Sequence, residues 1–204
     1  KVAAQAEVYS LDGRSSGVEF ENAELHDIKG RLSSGLSLRV IKDGMLGFAH
    51  TRNLRDREEL LKNALASLAG GVEARFSLPS TKAPAGLKTF DAGIEKAGSP
   101  VLVAECARMA EELKSRTKGE ITAGAWISEE TLRIANTKGF DASVRWSDCV
   151  VRAGAGFPGS ASGIFRLSNS MDFAGMPQAA LDEIVWLFNA GMREVEPEGG
   201  RIKV

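Results

Sequence analysis

The chain has 204 residues, 43% of them hydrophobic, with 26 basic against 27 acidic side chains and a net charge of −1. That length holds one or two domains; backbone-driven binding of nucleic acid needs a basic face, and Arg52, Arg55 and Arg57 come close to one but are interrupted by Asp56, Glu58 and Glu59. No run of ~18 apolar residues exists, so no membrane-spanning helix is expected. Twenty-two glycines and few aromatic residues favour a strand-rich, turn-rich chain.

Ala4 to Leu11 and Gly17 to Glu21 read as two strands around a turn at Asp12-Gly13-Arg14-Ser15-Ser16. Glu24 to Leu32 reads as a third, ending at Ser33-Ser34-Gly35. Leu36, Leu38 and Val40 then alternate with Ser37, Arg39 and Ile41, the period of a half-buried strand. Asp43-Gly44 supplies the positive φ angles of a tight hairpin. Met45 to Thr51 is the return strand, with Leu46, Phe48 and His50 on one face. Asn53 and Asp56 are cap candidates for a helix carrying Leu60, Leu61, Ala64, Leu65 and Leu68 at helical spacing. This first unit ends near Gly70-Gly71.

Residues 76–98 contain Pro79, Pro84, Gly86, Gly93 and Gly98, show neither period, and read as a linker. Ser99-Pro100 opens a helix, with serine as cap and proline in the first turn. Its stripe is Val103, Cys106, Ala107, Ala110 and Leu113, and Thr117-Lys118-Gly119 ends it. A meander follows: Glu120 to Ser128, Thr131 to Asn136 and Asp141 to Phe157, then Gly163 to Asn169. Met176-Pro177 opens a last helix with Ala180, Leu181, Ile184, Val185, Leu187, Phe188 and Met192 apolar, closed by Pro197 and Gly199-Gly200. The stripe is wide enough to lie against a sheet, and Trp186, Leu187, Phe188 and Met192 exceed what one sheet face needs. The expected fold class is α+β: two strand-rich units, 1–75 and 99–204, of mostly antiparallel sheets packed by helices, joined by the connector 76–98.

The wording of these segments carries a resemblance. Gly35-Leu-Ser-Leu-Arg-Val40, Asp43-Gly44 and Gly47-Phe-Ala49 form its strongest run. Ala6-Glu-Val-Tyr9, Gly17-Val-Glu-Phe-Glu-Asn22, Phe90-Asp91, the helix near Val101 to Leu113, Ile134-Ala-Asn-Thr-Lys-Gly139 and Gly199-Gly-Arg-Ile-Lys-Val204 extend it. Together they resemble the first and middle segments of the TldD/PmbA family, once called modulators of DNA gyrase and regarded as peptide-processing metalloproteases or their partner subunits. The hairpin wording is closer to the PmbA type. The resemblance implies a chain that lacks the catalytic half, a cytoplasmic setting, pairing with a like or homologous subunit, and an unfolded peptide as substrate. Hydropathy and charge add the expectations of no membrane and no direct nucleic-acid contact. Zinc belongs, on this resemblance, to the complete protein or its partner, where TldD-type members carry H-E-x-x-x-H and a distant cysteine.

No position matches either metal element, so no catalytic, cofactor or metal residue is assigned, and whether the protein is an enzyme stays open at this point. His26 and His50 fall on strands without the one-turn spacing that lets two imidazoles hold one zinc. Gly154-Ala-Gly-Phe-Pro-Gly159 matches G-x-G-x-x-G as a string, but a strand follows where a dinucleotide site needs a helix, so it reads as a loop. Gly159-Ser-Ala-Ser-Gly163 has alanine where a nucleophile elbow needs serine. Glu19, Glu21, Glu24 and Asp27 read as a charged outer face before a groove for basic peptides. Trp126, Trp146 and Trp186 read as core or interface anchors. Cys106 and Cys149 read as a buried reduced pair. The alternative to a peptidase subunit is a non-enzymatic protein that regulates gyrase or an antitoxin by binding.

Overall fold

The computed structural model describes residues 3–82, 86–193 and 199. Its strands are β1 (Gln5–Glu21), β2 (Glu24–Lys42), β3 (Met45–Thr51), β4 (Val72–Glu73), β5 (Glu120–Asn136), β6 (Asp141–Gly156) and β7 (Gly163–Ser170). Its helices are α1 (Arg57–Ala66), α2 (Ser99–Arg116) and α3 (Gln178–Gly191). The strands form one sheet in the order β4-β3-β2-β1-β5-β6-β7, so the expected α+β class is what the chain adopts.

The chain condenses into two units that do not follow chain order. One holds Lys1–Ser16, Gly30–Lys96 and Ile127–Asp148; the other holds Gly17–Lys29, Ala97–Trp126 and Cys149–Val204. The division 1–75, 76–98 and 99–204 differs from this because the expected turns inside the long strands are absent. Asp12 to Ser16 lies within β1, Ser33-Ser34-Gly35 within β2, and Ser128-Glu129-Glu130 within β5. Gly13 marks a close crossing of chains: a Cβ there would lie 2.6 Å from Glu130 Cγ and 2.9 Å from the Glu129 carbonyl oxygen. The turn that does reverse the chain is Asn22-Ala23, at φ 53° and 64°. Alanine there gives no sequence signal, since positive φ normally selects Gly, Asn or Asp.

In the first unit the hairpin forms as expected. Asp43 and Gly44 take φ 51° and 77°, and β2 pairs antiparallel with β3 from Leu36↔Thr51 to Lys42↔Met45. Asp56 caps α1, its carboxylate accepting the Glu59 N–H at 2.9 Å. Leu38 and Val40 of β2 pack against Leu60 and Ala64 of α1, with Leu36, Ala49, Leu65 and Leu68 around them. Ser67, just past α1, accepts the Phe48 N–H at 2.7 Å and donates to the Ala64 carbonyl at 2.8 Å. The helix end thus covers the β3 edge where the two-residue β4 stops, a common way to blunt an open edge.

Residues 77–79 and 89–91 of this stretch are held by groups from elsewhere in the first unit, in contrast to a free linker. Gln5 accepts the Ser77 hydroxyl at 3.0 Å and the Leu78 N–H at 2.8 Å, and Asn136 donates to the Pro79 carbonyl at 2.9 Å. Leu78 and Ile94 are buried. Pro84 lies outside the described residues.

In the second unit α2 and α3 cover one sheet face. Val18, Phe20, Ile121, Ala123, Ala125, Val151 and Ala153 supply the strand side of this core. Leu102, Cys106, Met109, Leu113, Leu181, Ile184 and Phe188 supply the helix side. Gly98, rather than Ser99, is the N-cap of α2, with Pro100 in the first turn. The start of α3 has no side-chain cap of its own. Glu105 accepts the Met176 N–H at 2.7 Å and Arg108 donates to the Met176 carbonyl at 2.9 Å, fixing the chain that enters α3. The expected closing residues Pro197 and Gly200, and the run to Val204, lie outside the described residues.

Candidate functional site

In the first unit, the connector and the strand ends of β5 and β6 enclose a groove of about 700 Å³. Leu132 and Ile134 come from β5, Ala142 and Val144 from β6, and Leu87 and Phe90 from the connector. Each strand pair is two residues apart, so period-2 alternation puts both side chains on one face. Three hydrogen bonds align the connector beside β6. Ser147 N–H donates to the Thr89 carbonyl at 3.0 Å, Thr89 Oγ1 donates to the Arg145 carbonyl at 2.7 Å, and Asp91 N–H donates to Ser147 Oγ at 2.9 Å.

Arg145 secures this arrangement. Its guanidinium lies 3.7 Å from the Phe90 ring centroid and donates to Glu95 and to Glu129, the latter at 2.7 Å. The Glu95 hydrogen bond, followed by that of Glu129, raises its pKa further above the usual arginine value. Lys88 is held by Asp91 at 3.2 Å, so both cations lining the groove are paired. Ser143 Oγ donates to the Leu132 carbonyl at 3.2 Å. The two hydroxyls of the lining, Thr89 and Ser143, are thereby engaged with main-chain carbonyls, and neither has a base beside it. The groove presents apolar walls, not acid–base chemistry.

It also lies beside main chain. β7 pairs with β6 only from Cys149 to Gly156, so Asp141 to Asp148 extends past its partner. The Arg145 carbonyl and Ser147 N–H face the edge that Thr89 occupies. Alternation places the Ser143 amide group on that edge too.

The residues singled out in the sequence are not gathered here. His50 is exposed and stacks on Phe48 with ring centroids 6.4 Å apart. In the second unit, His26 lies 3.6 Å from Glu21, both exposed. Lys29 pairs with Glu19 at 3.3 Å and Asp27 at 3.0 Å, which lowers the Asp27 pKa and raises that of Lys29. Glu19, Glu21, Glu24 and Asp27 therefore form a partly neutralised outer face. Among the described residues no group of three or more His, Cys, Asp or Glu side chains is placed to hold a metal. Cys106 and Cys149 are both buried and are not joined in a disulfide. Burial first, then the Glu105 carboxylate, pushes the Cys106 thiol up to about 12, so it is no thiolate nucleophile at neutral pH. Gly154 and Gly156 belong to β6 and Gly159 to the turn that follows, at φ 70°, with β7 next and no helix. Of the tryptophans, Trp126 lies flat over Gly17 and Gly124, and Trp186 is 68% exposed on α3. Sequence reasoning missed the groove because half of its wall is the connector, whose only cue was Phe90-Asp91.

These features define a strand-rich α+β domain with a hairpin–helix unit and a groove suited to binding. Residues 6–69 match the family described as PmbA/TldA metallopeptidase domain 1. Over that segment the chain matches the TldD/PmbA family. Its fold is similar to that of TldE from Thermococcus kodakarensis, at 16% identity and TM-score 0.81, covering 92% of this chain and 45% of that one. A Thermotoga maritima protein named as a modulator of DNA gyrase matches at 17% identity and TM-score 0.74, covering 89% of this chain and 42% of that one. A Bacteroides thetaiotaomicron protein named likewise matches at 16% identity and TM-score 0.75, covering 95% and 48%. At these identities the likeness is one of fold, and the chain spans less than half the length of each. No curated protein matches. Among the described residues no helix is long and apolar enough to cross a membrane.

Proposed function

We propose that this chain is the non-catalytic portion of a TldD/PmbA-type metalloprotease subunit or of its partner, acting in the cytoplasm to receive an unfolded peptide and support subunit pairing. The groove carries the reading: apolar side chains of an extended segment enter it while the segment's main chain meets the Ser143 end of the β6 edge, beyond the part that Thr89 holds, a short form of strand addition. The description of the matched family as a metallopeptidase domain supports the same direction. In this reading the zinc belongs to the rest of the complete protein or to its partner. The alternative, a regulator that binds gyrase or an antitoxin, draws on the names of two fold neighbours. The net charge of −1 lends it no support through direct DNA contact.

An acetylated, C-terminally amidated apolar peptide bearing a photoreactive phenylalanine tests the groove. Cross-links should map to the segments around Phe90, Ile134 and Val144, and Val144→Glu should reduce them about tenfold by placing a charge among apolar walls. Cross-links elsewhere, or unchanged yield with Val144→Glu, would remove the groove as the seat of the peptide. Pairing is assigned to the outer face of α3, where Trp186 is 68% and Met192 48% exposed. Light scattering should show concentration-dependent dimers that Trp186→Ala weakens. A strict monomer at high concentration would overturn that assignment.

A further inference from the structure

Gly154 and Gly156 leave a second depression, in the second unit, on the sheet face turned away from α3. On β7, Arg166 is held toward α3 by Glu183 at 2.7 and 2.6 Å, whereas Phe165 and Leu167 are 65% and 59% exposed on the other side. The pairs Arg152↔Leu167 and Gly154↔Phe165 put Arg152 and Gly154 on that open side, because directly opposed residues share a face. With no side chain on Gly154 or Gly156, a hollow of about 390 Å³ opens between Glu120, Arg152, Phe165 and the Ser160–Ser162 turn.

The chemistry of the lining is specific. Arg152 is exposed and has no carboxylate partner among the described residues, in contrast to Arg166 one strand away. A free guanidinium presents a planar fork of donors that matches a carboxylate or a phosphate. Ser160 and Ser162 add hydroxyls 2.8 Å apart. Glu120, also without a cation partner among the described residues, lines the same hollow. A carboxylate there repels a dianion, so free phosphate fits poorly, but it accepts an amide N–H. Glycine in the floor admits a ligand's main chain closely, and the Phe165 ring offers an apolar wall. The ligand so described has one negative charge, amide N–H groups and an apolar side chain.

We propose that this hollow binds the free C-terminal carboxylate of a short peptide, with Arg152 as counter-ion and Phe165 against the last side chain. The proposal rests on the reading of the chain as a peptide-handling subunit. Fluorescence polarisation with a labelled tetrapeptide ending in a leucine carboxylate tests it on the whole chain. The acid should bind roughly tenfold or more tighter than the same peptide as its amide, and Arg152→Met should abolish that difference. Inorganic phosphate should fail to displace the peptide at equal concentration. Equal binding of acid and amide, an unchanged preference in Arg152→Met, or displacement by phosphate would each overturn it. The groove experiment uses an amidated peptide, so failure of one assignment leaves the other standing.

Discussion

Phe188→Ala should cost the fold about 3–5 kcal/mol, the range for emptying a buried aromatic site. Phe188 is fully buried on α3 and stacks on Phe157 with ring centroids 5.0 Å apart and planes at 17°. It also lies where β5 begins: a Cβ on Gly119 would meet its ring at 2.7 Å. The residue therefore joins α3, the entry to β5 and the exit from β6, and no single neighbour can move in to fill its volume. Denaturant unfolding should show a lower midpoint with the slope retained. Trp186→Ala, two residues earlier but largely exposed, should stay within about 0.5 kcal/mol in the monomer. A cost below about 1 kcal/mol for Phe188→Ala would mean that α3 does not pack on the sheet as described.

Much of the fold was legible where one local signal sufficed. β3 runs from Met45 to Thr51 as its alternation indicates, and the hairpin turns at Asp43-Gly44 because that dipeptide takes positive φ readily. Asp56 caps α1, and Asn53 instead accepts the Arg55 N–H at 3.2 Å in the turn before it. The lengths of β1 and β2 were not legible. Serine and glycine at 13–16 and 33–35 lack strand propensity, and cross-strand pairing overrides them. The groove was hidden for a related reason. The partners that order the connector, Gln5, Asn136, Arg145 and Ser147, lie 56 to 73 positions away from the residues they hold. No local period encodes contacts of that separation. The G-x-G-x-x-G string runs from β6 into a turn and on to β7, as its following residues indicate, yet what its first two glycines do depends on Phe165 across the strand pair.

Gly47 shows what the run Gly47-Phe48-Ala49 contributes physically, and Gly47→Ala should be the most damaging single-methyl change in the hairpin. A Cβ there would sit 2.2 Å from the Ala64 carbonyl oxygen and 3.0 Å from Leu68 Cδ2. The first of these is helix backbone. It cannot rotate away as a side chain can, so α1 must lift from β3. Lifting it disturbs the Ser67 hydroxyl, which joins Phe48 N–H to the Ala64 carbonyl. It also loosens Leu60 and Ala64 from Leu38 and Val40. Overpacking of this kind costs about 1–3 kcal/mol and at times more, and a contact against backbone belongs at the upper end. Gly44→Ala separates space from strain. Nothing lies within 4 Å of a Cβ at Gly44, but its φ of 77° is left-handed, so alanine there should cost only about 1–2 kcal/mol. The two variants should therefore differ in kind. Gly44→Ala should lower stability while leaving amide exchange in α1 protected relative to the global transition, whereas Gly47→Ala should open α1 ahead of it. If Gly47→Ala proved no more costly than Gly44→Ala, with α1 still protected, the close seating of that helix on β3 would be wrong.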